Sequence, residues 1–365
     1  MLSELVAAKL TWLAVVTGKA VLWIAVIYPS LFLVGPIIAA SVMRISYLVR
    51  GIPPGGTPLA GKKEITSFIS EDDAAEMKRR NIDPDLPILK RIAAESVTYT
   101  GGLPAVLLQI AQEGVGKGVG RHSNFSTRLL ERTQNTAIFI YVMVFGNNTE
   151  RQMFRTFVTM AHKKINDKRT KNTYDAMDPR LQLWVAATMY ATMLDSYEKV
   201  FGRLPEHEQE QAFQEFSIFG TSLQVPLTMW PQDRAAFQAY WDDMVANLHV
   251  PAEAYKTTRD LFQPKYSKLP LGLAVLLAFT RPLTLAVATE ELPPHVAVQF
   301  GLTSSWRTKL LHGALQGFHK LTFPYYPAFV RQWQKNYYLW MMRERMTKKG
   351  MTRNGRHIST ELLGA

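Results

Sequence analysis

Between Glu95 and Trp306 the chain repeats one pattern: a capping residue, an apolar run at helical spacing, then a glycine or proline break. Residues 101–122 open with a Gly-Gly turn and Pro104 near a helix start. Ser126 can cap a helix that ends at Gly146, and Asp178-Pro179 reads as a cap followed by the first residue of another long helix. Further starts fall at Pro205-Glu206, running toward Phe219, and at Pro231. Alternating strand patterns are scarce and no internal repeat is present. The expected fold is all-α, a single large helical domain.

Hydrophobic residues make up 47% of the 365, enough to build a core. The absence of cysteine removes thiolate ligation, iron–sulfur clusters, Cys-based zinc sites and disulfides. No HExxH, facial triad, GxSxG or P-loop occurs. The Gly-rich stretch at 114–120 follows a helix rather than a strand, which argues against a phosphate cradle. Net charge is +12, and eight Lys/Arg against Glu344 between Arg331 and Arg356 hold +7 of it. Charge collected in a tail suits anionic lipid headgroups, and no nucleic-acid partner is expected.

Ala20 to Met43 carries no charged side chain. Its 24 residues would make a helix of roughly 36 Å, long enough to span a bilayer. An N-terminal transmembrane helix is expected, single-pass, with the body on the cytosolic side by the basic residues that follow the span. The organisation expected is an anchor over 1–50, a Pro/Gly linker over 51–63, a helical domain over 64–330, and a basic C-terminal helix and tail over 331–365. Leu269–Thr289 is apolar but interrupted by Arg281, Pro270 and Pro282; it reads as buried, or as a shallow membrane contact.

One histidine stands apart. His162 falls within an apolar stripe formed by Phe154, Val158, Ala161 and Ile165. Two readings are open: a core histidine bonded to a carbonyl, or an axial ligand held among apolar side chains. His122, at a helix boundary, is the rival ligand; His295, His312 and His319 are weaker candidates.

Several segments carry a resemblance in their order and spacing. They are LLQIAQEGVGKGVGRHSNF, TRLLERTQN, FGNNTERQMFRTFVTMAHKKIN, YDAMDPRLQLWVAATMYATML and, later, LPPHVAVQFGLTSSW. Over about residues 95–310 the chain resembles the ER-bound oxygenase and rubber-oxygenase (latex-clearing protein) catalytic-domain family, and its N-terminal span resembles the membrane-anchored, prenyl-cleaving branch. The resemblance implies a globin-like body holding haem b, with His162 as the proximal ligand. Thr133, 29 positions earlier, matches the distal threonine. Arg132 occupies the place of a lysine beside it, and Arg128 corresponds loosely, shifted by one, to a distal arginine. Gln112-Glu113 stands where some relatives have His-Pro. Near His162 in sequence, Lys163, Lys164 and Arg155 are candidates to pair haem propionates, or simply a solvated basic face.

The implied activity is O2-dependent oxidation or cleavage of a C=C bond in a lipophilic (terpenoid or prenylated) substrate. Membrane lipid is the other expected partner, in the endoplasmic reticulum if the cell is eukaryotic. Two competing expectations are another oxidative tailoring reaction on haem and a non-enzymatic helical protein that binds lipid.

Overall fold

A computed structural model describes residues 28–60, 67–122, 125–168, 174–262, 266 and 271–348. The helices run in chain order as α1 (Tyr28–Arg50), α2 (Glu71–Arg79), α3 (Pro87–Ala94), α4 (Gly102–Ala111), α5 (Glu113–His122), α6 (Phe125–Phe145), α7 (Asn148–Lys163) and α8 (Pro179–Phe201). They continue as α9 (Glu206–Glu215), α10 (Arg234–Ala246), α11 (Ala252–Phe262), α12 (Leu271–Glu290), α13 (Pro294–Gln299), α14 (Trp306–Thr322) and α15 (Trp333–Lys348), with single turns between some of them. Among the described residues the sole extended pairing is an isolated bridge between Asn166 and Asp175. The all-α expectation holds.

Local chemistry accounts for most helix ends. Asp178 accepts from Arg180 N at 2.8 Å and Pro179 opens α8, while Gly202 closes it with φ of 88°. Asn147 and Glu150 form a reciprocal capping box at the start of α7. Two boundaries differ from expectation. The helix expected from Pro231 begins at Arg234, because the Asp233 carboxylate reaches Ala236 N at 2.7 Å. The run expected over 101–122 breaks at Gln112, which is extended with ψ of 127° and whose own Oε1 accepts from Val115 N at 2.9 Å.

α8 is the axis of the core. Trp184, Ala186, Ala187 and Thr188 are fully or almost fully enclosed, and Trp184 Nε1 donates to Leu108 O at 3.1 Å. Tyr190 meets the rings of Phe213, Phe216 and Phe237 edge-on at 5.1, 5.2 and 4.8 Å. A single large apolar cluster extends from Leu59 to Met346.

α5 is slotted between two neighbours, and its alternating glycines permit this. Residues four apart share a helix face, whereas residues two apart lie on opposite faces. A Cβ on Gly114 or Gly118 would meet Leu181 at 2.9 Å or Ile165 at 3.3 Å. One on Gly116 or Gly120 would meet Pro251 at 2.5 Å or Glu253 at 2.5 Å.

The strongest polar joint lies far from these. Glu150 is fully buried, and Arg343 of α15 grips it bidentately at 2.7 and 3.0 Å. Leu59 N donates to the same carboxylate at 3.0 Å, and Arg343 also donates to Gly55 O at 2.9 Å and Gly56 O at 3.0 Å. Three segments thus meet at one carboxylate–guanidinium pair.

This joint corrects the expected organisation. Residues 51–60 are a packed strap rather than a free linker: Leu59, Gly55 and Gly56 are buried. α15 is part of the body, with Met341 and Met342 in the core. Of the basic residues assigned to lipid, Arg331 pairs with Glu95 at 2.9 Å, Lys335 covers the Phe145 ring, Arg343 holds Glu150, and Arg345 donates to Gln134 at 2.7 Å. Positions 349–356 lie outside the described residues.

Among the described residues no helix is long and apolar enough to cross a membrane. The transmembrane helix expected over Ala20–Met43 is therefore not found, and residues 20–27 of it lie outside the described ones. α1 docks on the body through Tyr47, whose hydroxyl donates to Asn336 O at 3.2 Å, and through Arg44 over the Phe329 ring.

Two consequences are measurable. Removing one partner of a buried ion pair leaves the other charge unpaired, so Arg343→Ala or Glu150→Ala is expected to cost about 3–5 kcal/mol in denaturant unfolding. The double replacement should cost well under the sum. His319 is buried inside α14, and burial pushes its pKa from the ordinary 6.5 down to about 4. The folded state therefore favours the neutral ring. Stability from this group is complete above pH 6.5 and is lost as pH falls toward 4. His319→Leu should flatten that part of the unfolding midpoint against pH.

Candidate functional site

Gly146 and Asn147 reverse the chain between α6 and α7. A Cβ on Gly146 would lie 2.6 Å from Val142 O, so a side chain is excluded at this tight return. The closed end of the hairpin is core. Val142, Met143 and Val144 on α6 are fully enclosed, as is Glu150 on α7, and Arg151 donates to Val144 O at 3.1 Å. Burial fades away from the turn on both helices. Thr133 and Thr136 are exposed on α6. On α7, residues 155–160 are half-buried, Ala161 is exposed, and His162 is half-buried.

The two predicted residues lie at similar distances along their own helices from the turn. Thr133 precedes Gly146 by 13 residues, and His162 follows Asn147 by 15. At 1.5 Å per residue those are roughly 20 and 22 Å from the turn. The apolar stripe read from the sequence is only partly a core stripe. Phe154 is buried, Val158 and Ile165 are half-buried, and Ala161 faces solvent.

His162 stands in the last turn of α7, with its Nδ1 enclosed by protein. The segment that follows is fastened. Ile165 N bonds His162 O at 2.8 Å, Ala176 N bonds Ile165 O at 2.9 Å, and Tyr174 N bonds the Asp167 carboxylate at 3.1 Å. On the same helix Thr159 accepts from Gln224 at 3.0 Å, and Gln224 exchanges bonds with Gln182 at 2.7 and 2.9 Å. This glutamine pair ties α7 to the start of α8.

The other predicted residues are dispersed. Arg155 donates to Phe68 O at 3.0 Å and Leu223 O at 3.3 Å, so its guanidinium is spent on tying loops to α7. Lys163 and Lys164 are exposed at the end of α7. Arg128 and Arg132 belong to α6, and their side chains lie outside the described ones. The rival His122 meets the Tyr174 hydroxyl at 2.8 Å, which gives it a structural bond. His295 faces Val245 O at 3.0 Å, and His312 pairs with Glu291 at 2.6 Å. Among the described residues no three His, Asp or Glu come together to hold a metal. A lone imidazole beside apolar side chains is the stronger candidate here.

Sequence reasoning missed the neighbours of Thr133. α15 runs antiparallel to α6: Tyr338 stacks on Tyr141 at 5.8 Å, and Arg345 reaches Gln134 at 2.7 Å. The end of α15 thus borders the open end of the hairpin. Gln112, noted for its departure from His-Pro, works as the cap of α5. A cavity of about 840 Å³ lies elsewhere, between α8, α10 and the turn after α12. Asp195, Lys199, Trp241 and Glu291 line it, and none of the predicted residues does. Burial raises the Glu291 pKa, but His312 and Lys199 outweigh that and hold its carboxyl at about 2.

The family model for the catalytic domain of ER-bound oxygenase mpaB/B′ and rubber oxygenase matches residues 89–322. The chain belongs to this oxygenase family. An uncharacterized protein of Mycobacterium bovis and another of Mycobacterium tuberculosis are each 31% identical over 263 residues, 70% of this chain and 99% of theirs. No solved structure matches the chain. The family match covers the hairpin, both His122 and His162, and α14 to its last residue.

The slot that holds α5 is open to test. Gly116→Ala would set a methyl 2.3 Å from Ile110 O, a backbone atom that cannot step aside. A loss of about 1–3 kcal/mol is expected in chemical denaturation. Gly313→Ala, with nothing within 4 Å, should be neutral or stabilising by up to about 1 kcal/mol.

Proposed function

We propose that this chain is a haem-dependent oxygenase that oxidises or cleaves a C=C bond of a lipophilic, terpenoid-type substrate with O2. One observation supports the proposal: in a chain of the oxygenase family, His162 ends α7 among half-buried apolar side chains, with its Nδ1 enclosed by protein.

The residues fit b-type haem. The enclosed Nδ1 of His162 leaves Nε2 as the nitrogen for iron. Phe157, Val158 and Met160 add half-buried apolar surface on the same helix. Lys163 and Lys164 remain available to propionates, whereas Arg155 does not, being held by two carbonyls. With no cysteine in the chain, thiolate ligation is excluded.

Bound haem would supply the centre at which O2 is activated. In the cleavage reaction both oxygen atoms add across the C=C bond, that bond breaks, and two carbonyl groups result. The chain's own part is placement and electrostatics. His162 would hold the iron through its imidazole. The Thr133 hydroxyl would serve as a hydrogen-bond donor toward O2, with Arg132 and Arg128 as further candidates by the family resemblance. Half-buried apolar side chains exclude water from a lipophilic substrate.

Purified from haem-replete cells, the full chain is expected to show a Soret band. His162→Gly should lose at least tenfold in haem content, and added imidazole should restore the band. Thr133→Val should keep the band and lose roughly tenfold or more in turnover, the scale of a lost transition-state hydrogen bond. An iron-free, colourless protein, or an unchanged spectrum in His162→Gly, would refute the assignment.

A further inference from the structure

Fourteen large apolar side chains are exposed among the described residues, and twelve of them lie on α1, α12, α14 or the turn after α14. Scattered surface hydrophobes need no explanation, but this concentration does. α12 and α14 pack antiparallel. Glu290 accepts from Ser304 at 2.9 Å and Thr308 at 2.5 Å at one end, and Leu283 and Val287 meet Leu311 and Leu315 further along. That register sets the start of α12 beside the end of α14.

Each helix turns an apolar stripe outward. On α12 it comprises Leu271, Val275, Ala278 and Pro282, spaced i, i+4, i+7, i+11 and all exposed. On α14 it runs through Trp306, 69% exposed, and Leu310, 53%, to Leu321, 73%, and then Tyr325, 85%. Charge on this pair has one sign. α14 contains no Asp or Glu, and the sole acid of α12 is Glu290, engaged by Ser304 and Thr308. Arg307, Lys309 and Lys320 are exposed on α14, and Arg307 lies over the Trp306 ring. α1 repeats the combination, with Ile38, Val42, Ile45 and Val49 exposed, Arg44 and Arg50 basic, and no acid.

We infer that the α12–α14 pair is a lipid-contact face of the folded body, lying on an anionic bilayer independently of any N-terminal anchor. Apolar stripes at helical spacing, an aromatic at each end of the stripe, and flanking cations without acids match the chemistry of a headgroup–acyl boundary. A protein partner or a second copy would need no such one-sided charge.

The chain has no cysteine, so one introduced thiol can carry a polarity-sensitive fluorophore without background. The probe is placed in the full chain by Leu321→Cys and, as control, by Val298→Cys, a position 65% exposed on α13. On vesicles of phosphatidylcholine and phosphatidylserine, the label at 321 is expected to shift to the blue. Nitroxide-labelled acyl chains should quench it at least twofold, while the label at 298 stays water-like. No change at 321 overturns the proposal. Equal quenching at both positions overturns it too. A blue shift without vesicles that grows with protein concentration assigns the face to a second copy, and an equal response on pure phosphatidylcholine overturns the anionic assignment.

Discussion

The Glu150–Arg343 pair holds together segments that are remote in the chain. Glu150 belongs to α7, Arg343 to α15, and both bond the strap at residues 55–59. A buried carboxylate is tolerated only where its charge is matched and its lone pairs are filled. Here the two guanidinium bonds are joined by bonds from Leu59 N and Asn147 N, at 3.0 and 3.1 Å. The same side chain that caps α7 therefore fixes where that helix starts relative to the C-terminal helix. Since His162 ends α7, the direction in which its imidazole leaves the core depends on this joint.

Burial is graded along the α6–α7 hairpin, and the gradient has a physical source. Near the turn, α3 and α15 pack on α6, and Arg151 of the returning helix satisfies the Val144 carbonyl of α6. Toward the open end burial falls, while apolar side chains such as Phe157 and Val158 continue. α5 comes close to the far end because its glycines offer no side chains, so it seats against Ile165 and Tyr174 on one face and Pro251 on the other. The result is a partly open apolar setting at the end of α7, bordered by α5.

Much of this was legible in advance. The capping box behind α7, the Asp178-Pro179 start of α8 and the lack of strands follow from side-chain reach and spacing within a few residues. Membership of the oxygenase family followed from the order of several short segments. Other features escaped. Gln112 is an ordinary helix former, and nothing local marks it as the break between α4 and α5; the break follows from seating α5 between two neighbours. The basic run after Arg331 looked like a lipid-facing tail because a sequence shows charges without their partners. Arg331, Arg343 and Arg345 are instead spent on Glu95, Glu150 and Gln134.

The sequence by itself determined the helical class and most helix starts. These rest on the 3.6-residue period, on caps and on the hairpin turn, which act over a few residues. Only the tertiary structure decided that the strap and C-terminal helix belong to the body, that Arg155 and His122 have structural partners, and that uncovered apolar surface collects on α1, α12 and α14. Those outcomes depend on which distant groups meet, and burial is a property of the whole packing rather than of any one segment.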